Sequence, residues 1–166
     1  PLLVCGLVGV AEAGMANASR RDPGLYYTSI FGKPADGAPW AWRFEGHHLS
    51  INVTELPGEA PIVAPMFVGA NPARVLDGPN AGFRLLAAEE DLARQLIQSL
   101  DPEQRQVAIF NATAPKEIFT EAKRRVQPLE PAGILAGKLT DAQQQQLMKV
   151  IEEYVRRVRP ELAETD

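Results

Sequence analysis

Both histidines and both tryptophans of this 166-residue chain fall within one stretch, Pro39 to Thr54, reading PWAWRFEGHHLSINVT. An imidazole changes charge near neutral pH and binds metals in its neutral form, so His47 and His48, with Glu45 two residues before the first, are the side chains whose types could do chemistry. On a strand, neighbours point to opposite faces, so His47 and His48 could share one ion only across a bulge, and Glu45 with His47 is the better-spaced couple. A divalent metal is the cofactor that such a set would take, as a catalytic zinc or a non-haem iron with open positions. No H-E-x-x-H or similar spacing supports it, and histidines that hydrogen-bond locally are the competing reading. Ser50 beside His48 suggests a nucleophile and base, but residues two apart reach each other poorly and no G-x-S-x-G context surrounds them.

A second candidate lies further on. Between Phe83 and Leu100 the apolar period is helical, and one arc collects Leu85, Leu86, Leu92, Ala93, Leu96, Ile97 and Leu100 while Asp91, Arg94 and Gln98 face away. Glu89 falls inside that arc. A carboxylate buried there without partners would neutralise or pair, so Glu89 is expected to meet a cation or donor from the sheet, with Arg43, His47 and His48 as candidates. A purely structural ion pair docking helix on sheet explains the same pattern.

The elements that must position these groups are legible in outline. Trp40, Trp42 and Phe44 alternate with small or polar residues, and so do Leu49, Ile51 and Val53, but the two halves are out of phase. A two-residue turn at Glu45-Gly46 would pair Phe44 with His47, Trp42 with Leu49 and Trp40 with Ile51, restoring one apolar face; a bulge at Gly46 would do the same without reversing the chain. Leu25 to Phe31 and Pro61 to Val68 read as further strands, the second with Pro65 arguing for an edge or a bulge. Asp101-Pro102 signals an N-cap and a first-turn proline for a short helix reaching Ile109, and Ala114 to Lys123 reads as another turn or two of helix. Val126 to Lys138, rich in Pro and Gly, reads as an irregular connection. Thr140 with Gln143 forms a capping box for a last helix with Leu147, Val150, Ile151, Tyr154, Val155 and Val158 on one face.

Composition bounds the function. At 45% hydrophobic the chain can build a core as one domain, and its single cysteine, Cys5, excludes an internal disulfide or a multi-thiolate zinc site. A net charge of -4 with scattered arginine pairs gives no reason to approach nucleic acid or an anionic membrane. The opening PLLVCGLVGVAEAGM is apolar but short and without basic residues, which favours a buried helix over a signal or transmembrane segment. Gly69 to Pro72 and Gly78 to Gly82 are loops lacking any phosphate-binding lysine or dinucleotide spacing. The triplets at Asn17, Asn52 and Asn111 match the glycosylation pattern, with chance as the simpler account.

RRDPGLYYTSIFG, PWAWRFEGHHLSINVT, FVGANPARV, GPNAGFRLLAAEEDLAR and the PELAE end together resemble the bacterial domain-of-unknown-function family numbered 3500, over nearly the whole chain. The resemblance implies no activity. It does imply a longer architecture: members are typically about twice this length, many look exported, and they continue into a segment with further histidines, so this chain looks like a fragment or a short member.

These readings define an α+β fold: a single domain over 1–166 with a small, mostly antiparallel sheet, covered on its apolar face by helices at Phe83 to Leu100 and Ala142 to Val158. Two functions are expected from it. One is a binding or interaction module in which Arg43, His47 and Glu89 are structural, as a monomer or an oligomer. The other is a metal-dependent enzyme with Glu45, His47, His48 and Glu89 at its centre.

Overall fold

The computed structural model of the chain describes residues 22–35, 37–121, 123, 125, 127 and 133–164. The expected helix at the start, Cys5 and the Asn17 triplet lie outside the described residues, as does part of the connection from Val126. The chain is an α+β protein with a four-stranded antiparallel sheet and three helices of seven residues or more. It divides into two compact units, Pro1–Ala87 with Val155–Asp166, and Ala88–Tyr154.

The first unit carries the sheet. Strands β1 (Tyr27–Gly32), β2 (Trp40–Gly46), β3 (Leu49–Glu55) and β4 (Met66–Val68) lie side by side in chain order. The β-branched and aromatic content of LYYTSIF, WAWRF and LSINV suits a pleated, half-buried surface. β2 and β3 form the expected hairpin, but the turn residues are His47 and His48 rather than Glu45 and Gly46. The observed pairs are Gly46 with Leu49, Phe44 with Ile51, Trp42 with Val53 and Trp40 with Glu55. Moving the turn by two residues keeps every side chain on its face, since sheet sides alternate with period two. Trp40, Trp42 and Phe44 therefore still share one side with Ile51, Val53 and Leu49, and Leu49 and Val53 are buried there.

Gly46 is a glycine for a reason other than the turn, and that reason is Tyr26. Extending the β1–β2 register by one pair sets Tyr26 opposite Gly46. Its ring stacks on Phe44 with centroids 5.9 Å apart, and a Cβ built on Gly46 would overlap that ring. Gly46 is thus the bare floor under an aromatic ring rather than a turn residue. The positive φ that the reversal needs falls on His48, at 59°, a conformation in which His is over-represented among non-glycine residues.

The expected strand over Pro61 to Val68 is broken. Ile62 bridges Thr54 by two backbone bonds of 2.9 Å, while β4 resumes only at Met66. Asn52 Nδ2 donates to Pro65 O at 2.8 Å and fills the gap, consistent with a proline at the sheet edge.

The second unit holds α1 (Ala87–Ser99), α2 (Pro102–Ala108) and most of α3 (Asp141–Val155); α4 (Pro160–Ala163) is a single turn beyond it. α1 begins four residues later than its apolar pattern, with Glu89 and Glu90 in its first turn where the helix dipole favours acids. Asp101 caps α2: its Oδ1 accepts from Gln104 N at 2.8 Å, and Gln104 Oε1 accepts from Asp101 N at 3.0 Å. Thr140 and Gln143 make the matching box for α3. α3 stops at Val155, short of the expected Val158.

These two boxes interlock. Gln104 Nε2 donates to Gln143 Oε1 at 2.9 Å and Gln143 Nε2 donates back to Gln104 Oε1 at 2.8 Å, a closed amide pair. Gln143 Nε2 also donates to Ser99 O, and Gln104 Nε2 to Lys138 O. Gln143 is buried, as are Leu100 and Leu139, which adjoin its partners Ser99 and Thr140 in sequence. The helix expected over Ala114 to Lys123 does not form among the described residues, and near its end Glu121 takes φ 45°, which a right-handed helix does not allow.

Candidate functional site

The sheet's two faces differ. One carries Trp40, Trp42, Phe44, Ile51 and Val53; the other is laid out in three cross-strand rows by the pairing of its strands. Tyr27, Glu45, Ser50 and Phe67 form the first row, and Ser29, Arg43 and Asn52 the second. Phe31, Ala41 and Thr54 form the third, closed by Ile62 through its bridge to Thr54. The centre of this face is polar and its four corners are apolar. All four corner residues are exposed: Tyr27 57%, Phe31 48%, Phe67 39% and Ile62 46%.

Arg43 and Glu45, two residues apart on β2, point to this polar floor and pair at 2.8 Å between Nη2 and Oε1. Each side chain is about a third exposed, so the pair is worth little to stability. The Arg43 guanidinium also lies 5.6 Å from the centre of the Phe31 ring, within cation–π range. Its Nε is buried with no hydrogen-bond partner among the described residues. Beside it, Asn52 Nδ2 donates to Ser50 Oγ at 3.2 Å as well as to Pro65 O, which commits that amide to the sheet and favours chance as the account of its glycosylation triplet.

His47 and His48 stand at the hairpin tip, not on a strand, so strand alternation does not separate them. Their rings lie 4.0 Å apart at 57° and both residues are half-buried. The tip is tied on both sides: Tyr26 Oη donates to His47 O at 3.0 Å, and Gly69 N donates to His48 O at 2.8 Å. Gly69 is required here because a Cβ would come within 2.9 Å of His48 Nδ1. Glu45, the expected partner of His47 in a ligand set, is instead engaged by Arg43. Among the described residues no group of three or more His, Cys, Asp or Glu side chains could hold a metal ion.

Glu89 is half-buried in the first turn of α1, in the second unit, whereas Arg43, Glu45 and the histidines belong to the first. Within the first unit, the residues singled out from sequence that come together are Arg43 with Glu45 and His47 with His48. What sequence reasoning missed was the floor. Its signal was alternation joined to the hairpin: Tyr27 and Phe31 share Arg43's odd numbering, and the reversal that pairs Arg43 with Asn52 brings Ser50, Asn52 and Thr54 to the same side.

A four-stranded antiparallel sheet with a sidedness of this kind, in a chain that also carries three helices of seven residues or more, defines an α+β protein. Its sequence matches the model of the family described as protein of unknown function, DUF3500, over residues 4–166, and the chain belongs to that family. Neither a curated protein nor a solved structure matches it. Among the described residues no helix is long and apolar enough to cross a membrane.

Proposed function

We propose that the chain is a binding module, and that ligand is met on the floor centred on Arg43, Glu45, Ser50 and Asn52. The observation that supports this best is the exposure of four large apolar side chains around a polar patch, on the sheet side opposite the tryptophans. Ligand sites combine apolar walls with a few convergent polar groups in this way. The Arg43–Glu45 pair supplies donors and an acceptor already held in place. A nitrogen-15 amide spectrum recorded across a broad set of small ligands tests the reading: shifts should gather on Ser29, Arg43, Asn52 and Phe67. A ligand whose shifts gather elsewhere on the chain speaks against it.

A metal-dependent enzyme using Glu45, His47 and His48 is the second reading, and the 4.0 Å separation of the two imidazoles favours it. It requires Glu45 to leave Arg43. Elemental analysis of protein purified without chelator, followed by a thermal-shift scan over divalent ions, separates the two, since a ligand that binds only the folded state raises its melting temperature. No stoichiometric metal and no shift would leave the enzyme reading without support.

A further inference from the structure

Resting on the binding-module reading, we propose that the floor takes a neutral, polyhydroxylated ligand, a short oligosaccharide. Charge comes first. The two ionised groups of the floor, Arg43 and Glu45, pair with each other at 2.8 Å, and the polar residues around them, Ser29, Ser50, Asn52 and Thr54, are neutral. The two opposite charges cancel within the floor, so a partner of complementary charge carries no net charge.

Hydrogen-bonding capacity comes next. Arg43 can only donate, Glu45 can only accept, and the serine and threonine hydroxyls do both. A ligand satisfying this mixture at close spacing needs groups that donate and accept in turn, which is what a row of hydroxyls provides.

Shape comes third. Tyr27 and Phe67 end the first row three strand spacings apart, which is roughly 14 Å, and Tyr27 and Phe31 lie four residues apart along β1, roughly 13 Å. Aromatic rings at the corners of a patch that broad match a chain of sugar rings, whose C–H faces stack on aromatics while their hydroxyls reach the polar centre. An extended peptide would instead add to a strand edge, where its backbone can pair.

The test uses the full chain with cellohexaose, maltohexaose and chitohexaose as neutral probes and a hexagalacturonate as the charged one. Saturation-transfer and amide-shift titrations should show at least one neutral probe binding, with shifts on Ser29, Arg43, Asn52 and Phe67. Phe31→Ala and Tyr27→Ala should each weaken it by roughly tenfold, as expected for a stacked aromatic contact. Tyr27→Phe, which keeps the ring, should weaken it less, and Leu76→Ala, on a loop outside the sheet, should leave it unchanged. The proposal is overturned if no neutral probe binds, if binding survives both alanine variants with the sheet intact by circular dichroism, or if the floor proves to be covered by a second copy in light scattering. Binding of the charged probe alone overturns the neutral ligand but keeps the binding reading; shifts that never touch the floor remove both.

Discussion

Gln143 is the side chain whose replacement should cost the second unit most. It makes four hydrogen bonds from one amide: its Oε1 accepts from Thr140 N and Gln104 Nε2, both at 2.9 Å, and its Nε2 donates to Ser99 O at 2.9 Å and Gln104 Oε1 at 2.8 Å. The backbone partners fix which end is which, because Thr140 N can only donate and Ser99 O can only accept. Gln104 keeps a partner at each end, Lys138 O and Asp101 N, when Gln143 is gone. Gln143→Leu keeps the volume and removes all four bonds. At about 1 kcal/mol net per bond, less about 1 kcal/mol for the added apolar burial, the cost is about 3 kcal/mol. Gln143→Glu is the sharper variant: the introduced carboxylate still accepts from Thr140 N and Gln104 Nε2, but it sets an anion against Ser99 O and Gln104 Oε1. At neutral pH it should be at least as damaging as Gln143→Leu. Burial raises the carboxyl's folded pKa above the ordinary value of about 4.3, so the penalty appears as pH rises through that value and shrinks below it, where the neutral acid can donate once. Urea unfolding followed by helical circular dichroism, with amide exchange at Thr140 as the local probe, measures both. Gln143→Leu within about 0.5 kcal/mol of wild type, the range of inert surface changes, would refute the reasoning.

Other outcomes follow from the sheet. Gly46→Ala should destabilise the first unit by about 1–3 kcal/mol through overlap with the Tyr26 ring, and most of that should vanish in a Tyr26→Ala background when chemical denaturation is run as a double-mutant cycle. Tyr26→Phe should cost about 1 kcal/mol, for its bond to His47 O, with faster exchange of amides at the hairpin tip. His48→Val should be worse than His48→Asn by about 1 kcal/mol in the same assay, because a β-branched residue resists the positive φ found there. Arg43→Met should change stability by less than about 1 kcal/mol, as for other exposed pairs; a larger loss would mark the Arg43–Glu45 contact as structural rather than as part of an open floor.

What could be read from sequence was what period and capping chemistry encode locally. The alternation around Trp42 and Ile51 called for a reversal or a bulge between them, and for the reversal, parity ensured that the apolar face came out right though the turn was placed two residues early. Gly46 misled because a glycine beside an acid has the look of a turn, and only the register of a strand twenty residues upstream reveals Tyr26 above it. The caps at Asp101 and Thr140 were legible because each is closed within three residues. The amide pair joining them was not, since Gln104 and Gln143 are 39 residues apart. Glu89's place in an apolar arc was likewise legible, and its half-buried position on α1 agrees with that arc, but periodicity names no partner.

The double tether at His47 and His48 has a consequence for how the sheet comes apart. A hairpin tip is ordinarily joined to the rest of a sheet only through its own two strands. Here one carbonyl is held from the β1 side by Tyr26 and the next from the β4 side by Gly69, so the tip cannot open without loosening contacts to strands on both flanks. Slow exchange should therefore extend to the very end of the hairpin, and the imidazoles should keep a fixed mutual geometry while the open ends of the strands breathe.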